Sequence, residues 1–189
     1  MKRRTSIVFV ASLLFALAAH AQANLPDGWF KTGSAPADYD AGAQAGTRRP
    51  GDRNAFLRAR SDSKGFATLM QTIDATDYRG KRLRLSGWLK TTGANKAALW
   101  MRVDGDSRKV LSFDNMDDRP VTGTTDWKHY DVVLDVPQDA IVIAFGFNLI
   151  GKGEVLADDF KLEAVSKDVQ VTGGAAGPRR EPVNLDFAR

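Results

Sequence analysis

The chain has no cysteine and only two histidines among its 189 residues, and almost no net charge once its first 23 residues are set aside. Each shortage removes a class of function. Without cysteine there is no disulfide scaffold, thiolate metal site or thiol nucleophile. His129 is the sole histidine beyond the first 23 residues, so a zinc site or a Ser-His-Asp triad would have to be built around it alone. No nucleophile-elbow sequence accompanies it. Lys2, Arg3 and Arg4 are the only Lys or Arg residues up to Ala23, and no acid lies there; the remainder carries 24 basic against 23 acidic side chains, a net charge of +1. The basic pI of 9.4 is therefore largely a property of the leader, and binding to nucleic acid loses its main electrostatic support. Gly42 to Gly46 lacks the lysine and following helix of a phosphate loop.

The leader itself is informative. A positive start at Lys2 to Arg4, an apolar run from Ile7 to Ala19 and the small-x-small patterns Ala19, His20, Ala21 and Ala21, Gln22, Ala23 form a secretory signal peptide. As a helix the run reaches about 20 Å, short of the roughly 30 Å hydrocarbon core. Cleavage after Ala21 or Ala23 is expected, with no stable membrane anchor and a periplasmic or secreted product.

The rest is one domain's worth of chain. No segment after the leader shows an apolar period of 3.6. Short alternating runs recur instead, broken by Gly, Pro, Asp and Asn about every ten residues, which predicts an all-β sandwich. The candidate strands are Trp29 to Thr32, Tyr39 to Ala43, Ala55 to Ala59, Phe66 to Ile73, Arg82 to Thr91, Ala97 to Asp104, Val110 to Asp114, His129 to Val136, Ile141 to Ile150 and Glu154 to Val165. Gly93, Ala94 and Asn95 read as a turn between two of them. The expected organisation is a signal peptide over 1–23, a sandwich domain over 24–165 and a flexible linker over 166–189.

Alternation assigns faces, because successive strand side chains point to opposite sides. Leu83, Leu85 and Leu89 oppose Arg84 and Trp88, and Leu99, Met101 and Val103 oppose Trp100 and Arg102. In the ninth run Phe145, Phe147 and Leu149 oppose Ala144, Gly146 and Asn148, whose small members suit a groove. If these strands are neighbours, one face carries Trp88, Trp100, Arg84, Arg102 and Asn148. Tryptophans among polar groups suit a sugar, since rings stack on apolar pyranose faces and planar polar groups bind hydroxyls. The alternative is that a loop, a second sheet or a partner covers them.

The order of the runs Arg82 to Thr91, Trp100 to Gly105, Thr125 to Tyr130 and Ala157 to Phe160 resembles the galactose-binding-like jelly rolls of carbohydrate-binding modules, over roughly Leu25 to Val165. Phe113 to Met116, Arg119, Pro120 and Gly123 to Trp127 look like the non-catalytic module found beside some C-terminal-processing serine peptidases and in proteins labelled AraC-type regulators. This sequence shows neither a peptidase domain nor a helix-turn-helix pattern. The resemblance implies a jelly-roll β-sandwich without catalysis that binds a carbohydrate or envelope glycan, with an envelope protein as the alternative partner. It also implies a structural calcium, for which Asp158 or Asp159 could supply oxygens with an N-terminal partner near Asn24 to Asp27; one solvated and one hydrogen-bonded carboxylate is the alternative. A glycan hydrolase would need paired carboxylates drawn from Asp104, Asp106, Asp114, Asp117 or Asp118, all at strand ends or turns where Asp is expected for turn formation alone. Finally, Asn184, Leu185, Asp186 and Phe187 resemble the opening strand of such modules. The C-terminal segment either returns to fill that edge position or stays a frayed tail.

Overall fold

A computed structural model describes residues 25–49 and 51–173. The expected signal peptide over 1–23 and the candidate C-terminal strand at 181–189 lie outside the described residues. What is described is almost wholly β: β1 (Phe30–Gly33), β2 (Tyr39–Ala45), β3 (Arg53–Ala59), β4 (Phe66–Asp74), β5 (Arg82–Asp104), β6 (Val110–Asp114), β7 (Val121–Asp135), β8 (Val142–Ile150) and β9 (Glu154–Val165), with three single-turn 3-10 helices between them.

The expected turn at Gly93 to Asn95 does not separate two strands. β5 runs for 23 residues and belongs to two sheets at once. Its first half lies between β7 and β9, which leads on through β3 to β2. Its second half lies between β8 and β6, and β8 leads on through β4 to β1. Two antiparallel layers result, β1-β4-β8-β5-β6 and β2-β3-β9-β5-β7. Gly93 makes the corner with a φ of 58°, a left-handed conformation that glycine adopts without steric cost. Asn95 then donates its N–H to the Lys152 carbonyl in the facing turn at 3.1 Å, so the chain bends there without losing its bonding.

One core fills the space between the layers. Leu83, Leu85 and Leu89 from the first half of β5 share it with Leu99, Met101 and Val103 from the second half, joined by Leu57, Leu69, Phe147 and Leu134. Odd-numbered β5 side chains therefore face inward on both sides of the corner, where the alternation is interrupted: Ala94 lies in the core and Asn95 is exposed. Even-numbered ones face outward, but onto opposite outer surfaces of the sandwich, because the strand changes sheet at the corner. Tyr39, fully buried, holds the end of this core with its hydroxyl between the carbonyls of Gly65 at 2.8 Å and Gly151 at 2.9 Å.

Residues 166–173 do not leave as a linker. Arg82 donates to the carbonyls of Lys167 and Val169, both at 2.6 Å. Val171 packs on the core, and Thr172 N–H donates to the Val133 carbonyl at 3.0 Å. The segment satisfies backbone groups that β7 would otherwise leave open at its edge.

Candidate functional site

The outer face of the β1-β4-β8-β5-β6 layer is hollowed, and its sequence explains why. Along β8 the outward residues are Val142, Ala144, Gly146, Asn148 and Ile150, flanked in register by Thr68, Met70 and Thr72 of β4 and by Trp100, Arg102 and Asp104 of β5. The central strand is low and its neighbours are tall. Trp100 lies across this depression, 8 % exposed and clustered with Met70 and Ala144. Its indole N–H donates to Thr68 Oγ1 at 2.7 Å, and that hydroxyl donates in turn to the Phe147 carbonyl at 2.9 Å. The ring is thereby locked as a floor.

Two contiguous hollows open on this face. One of about 450 Å³ is lined by Thr68, Trp100, Asn148 and Asn115, with Phe66 and Phe113 at its sides. The second, of about 410 Å³, lies between Thr72, Asp104, Ser107, Arg108 and Val142. Met70 and Arg102 line both, so they form one groove. Six large apolar side chains are exposed among the described residues. Five of them, Phe30, Phe66, Val110, Phe113 and Ile141, stand on this face or at its strand ends. Such concentration marks a surface built for contact rather than scattered exposure.

The groove also holds polar atoms without partners. Asn148 is 9 % exposed and its Oδ1 accepts no hydrogen bond; Asp104 is 7 % exposed and its Oδ1 is likewise unpaired. Leaving a buried acceptor unmade costs about 1 to 3 kcal/mol, and each such group calls for an explanation. Asp104 Oδ2 is occupied by Arg102, whose Nε donates to it at 3.0 Å. Asp104 is the only carboxylate among the groove-lining residues.

Of the five residues expected on one face, the structure brings together three, Trp100, Arg102 and Asn148. Trp88 and Arg84 are on the other outer surface, for the geometric reason given by the β5 corner. There Trp88 lies beneath the Arg48 guanidinium, 4.9 Å from its ring centre, and edge-on to His129. Ion pairs cover that surface: Arg48 with Asp158 and Asp159, Arg58 with Glu154, Arg84 and Lys161 with Glu163, and Lys90 with Asp126. The hydrogen bond from Lys161, with Arg84 beside it, holds the Glu163 carboxyl below its ordinary range. It is a solvated, charge-matched face.

The carboxylates read as calcium ligands face a guanidinium instead. Arg48 Nε donates to Asp158 at 2.6 Å and its Nη2 to Asp159 at 2.8 Å. No cluster of three or more His, Asp or Glu side chains suited to a metal occurs among the described residues. A hollow of about 160 Å³ beside them, lined by Trp29, Arg53 and Phe160, is near a third of the volume of either groove compartment. Asp114 is buried under Arg119 and Thr172, and Asp117 pairs with Lys96.

Phe66, Thr68, Met70, Phe113 and Arg108 were not among the expected site residues. The first three alternate on one candidate strand, so a shared face was readable. That it is the groove face was not, because nothing local tells which strands become neighbours of β8.

No family model matches the chain. A curated relative, the uncharacterised helix-turn-helix-type transcriptional regulator YbfP of Bacillus subtilis (strain 168), is 44 % identical over 165 residues. The match takes in 85 % of this chain and spans 56 % of the relative's length. That name is at odds with a secreted binding module, although the described residues hold no helix longer than a single 3-10 turn. Among solved structures, the enzymatically active domain of bacteriophage CBA120 tailspike protein 4 superposes with a TM-score of 0.57 at 18 % identity, over 74 % of this chain and 20 % of that one. The CBM22-1 xylan-binding domain of Paenibacillus barcinonensis Xyn10C gives 0.52 at 13 % identity, over 77 % of this chain and 90 % of that one. Further carbohydrate-binding modules recur among the similar structures. At these identities the likeness is one of fold: an all-β sandwich of the carbohydrate-binding-module type.

Proposed function

We propose that this protein is a non-catalytic carbohydrate-binding module, periplasmic or secreted, that takes a glycan chain in the groove across β4, β8 and β5. The observation that carries this reading is the buried, unpaired Asn148 Oδ1 beside the indole floor. A polyol satisfies both at once, with a hydroxyl for the acceptor and an apolar ring face for the aromatic surface. Carbohydrate-binding modules among the structures of like fold, one a xylan-binding domain, support it. Paired-carboxylate hydrolysis is disfavoured by a groove whose one carboxylate is already engaged by Arg102.

The test is a glycan-array screen of residues 24–189 with and without calcium, followed by calorimetry on the best ligand with Phe113→Ala. Phe113 is 39 % exposed, so its truncation removes a groove wall and little core. Loss of binding with an unchanged melting temperature supports the reading. Full binding by Phe113→Ala and Asn148→Ala together would move the site elsewhere. Binding abolished by chelation, and restored by calcium, would bring back a metal role for Asp158 and Asp159.

A further inference from the structure

The turn at the far end of the groove joins β5 to β6 in an unusual way. Lys109 N–H donates to the Asp106 carbonyl at 2.9 Å, closing a four-residue turn whose central residues are Ser107 and Arg108. Both are left-handed, with φ of 50° and 62°. This is the geometry of a type I′ hairpin turn, in which asparagine followed by glycine is the favoured pair. A serine and an arginine there are strained. Packing does not account for them: both are exposed, Ser107 reaches only Asp106 at 3.4 Å, and Arg108 has no hydrogen bond or ion pair among the described residues. Arg108 does line the groove, in the compartment that Arg102 and Asp104 also line, and Asp104 Oδ1 has no partner there.

Charge in this compartment is unequal. Arg102 is matched by Asp104, which leaves the Arg108 guanidinium uncompensated among the lining residues. Asp106, the other acid of the turn, does not line the groove. We propose that this end of the groove is a subsite for a uronic acid residue, in which Arg108 takes the sugar carboxylate and Asp104 Oδ1 accepts a neighbouring hydroxyl. A planar guanidinium matches a carboxylate with two parallel hydrogen bonds, and a strained turn is a fitting place to hold it. The proposal rests on the glycan-groove reading and adds the acidic class of ligand to it.

The test compares binding of glucuronate-decorated and undecorated xylo-oligosaccharides, and of galacturonan and its methyl ester, to the wild type, Arg108→Gly, Arg108→Lys and the double variant Ser107→Asn, Arg108→Gly. The wild type is expected to prefer the acidic member of a pair roughly tenfold, the scale of one hydrogen bond to a charged group, with the preference falling as salt is added. Arg108→Gly is expected to lose that preference while keeping the neutral ligand, and Arg108→Lys to retain part of it. The double variant, with the favoured turn pair, is expected to melt a few degrees higher. Equal binding of acidic and neutral ligands by the wild type, or an unchanged preference in Arg108→Gly, overturns the subsite while the groove stands. A lower melting temperature for the double variant overturns the argument that the turn is held for its side chain. Failure of the whole oligosaccharide set to bind overturns both the groove and the subsite.

Discussion

Trp100 on β5 and Thr68 on β4 are joined by a 2.7 Å hydrogen bond although β8 runs between their strands. In register Gly146 lies between Trp100 and Met70 while Thr68 is opposite Asn148, so the indole crosses β8 on the diagonal, beside a residue that carries no side chain. A side chain there would collide with the Leu69 carbonyl, a backbone atom that cannot swing aside. The floor of the groove thus depends on one residue having nothing to offer.

The first consequence concerns stability. Trp100→Ala is expected to cost about 3 to 5 kcal/mol, the scale for truncating a packed tryptophan, and to leave the Thr68 hydroxyl without its indole donor. Gly146→Ala should be destabilising too, through backbone displacement. Urea unfolding of both variants measures it. A midpoint unchanged in Trp100→Ala would mean that the ring is a loose platform.

Trp88 provides the contrast. It lies on the ion-paired surface under Arg48, so Trp88→Ala is expected to cost only about 1 to 2 kcal/mol and to leave glycan affinity untouched. Calorimetry of this variant beside Phe113→Ala separates the two surfaces; weakened binding in Trp88→Ala would show that the wrong face has been chosen.

Asn148→Ala is expected to be neutral or to stabilise the free protein by up to about 1 kcal/mol, because it removes a buried acceptor that has no partner. Its ligand affinity should fall roughly tenfold or more. A clear loss of melting temperature in Asn148→Ala would mean that the carbonyl is satisfied in solution by something other than ligand.

Acid should loosen the segment that closes the edge of β7. Asp135 is pulled down to about 2 by its hydrogen bond from Arg82, with Lys167 adding to the effect. A carboxylate with a depressed pKa contributes stability above its ordinary range and loses it as the pH falls through the folded value. The window is therefore from about 4 down to about 2. Wild type should lose melting temperature across it more steeply than Asp135→Asn, and exchange of the Thr172 amide, bonded to Val133, should quicken over the same range. Parallel profiles for the two proteins would exclude Asp135 as the group responsible.

Most strands were legible in the sequence, because alternation and turn residues act over a few positions. The inward residues of β5, Leu83, Leu85, Leu89, Leu99, Met101 and Val103, follow directly from the period of two, and all of them lie in the core. The period also placed Trp100, Arg102 and Asn148 on outward positions without knowing which outside was meant. It could not tell that Gly93 to Asn95 is a corner within one strand, since a glycine, an alanine and an asparagine serve a bend and a turn equally well.

What the sequence alone determined is therefore local: an all-β chain, the inward and outward parity of each strand, and the absence of thiol chemistry. Which outward residues share a surface was decided by pairing between strands far apart in the chain. Trp88 and Trp100 have the same parity on the same strand, yet the β5 corner sends them to opposite sides of the molecule. Phe66, Phe113 and Arg108 reach the groove only because β4 and β6 flank β8 and β5. Long-range register sets such neighbours, and no period within a single strand encodes it.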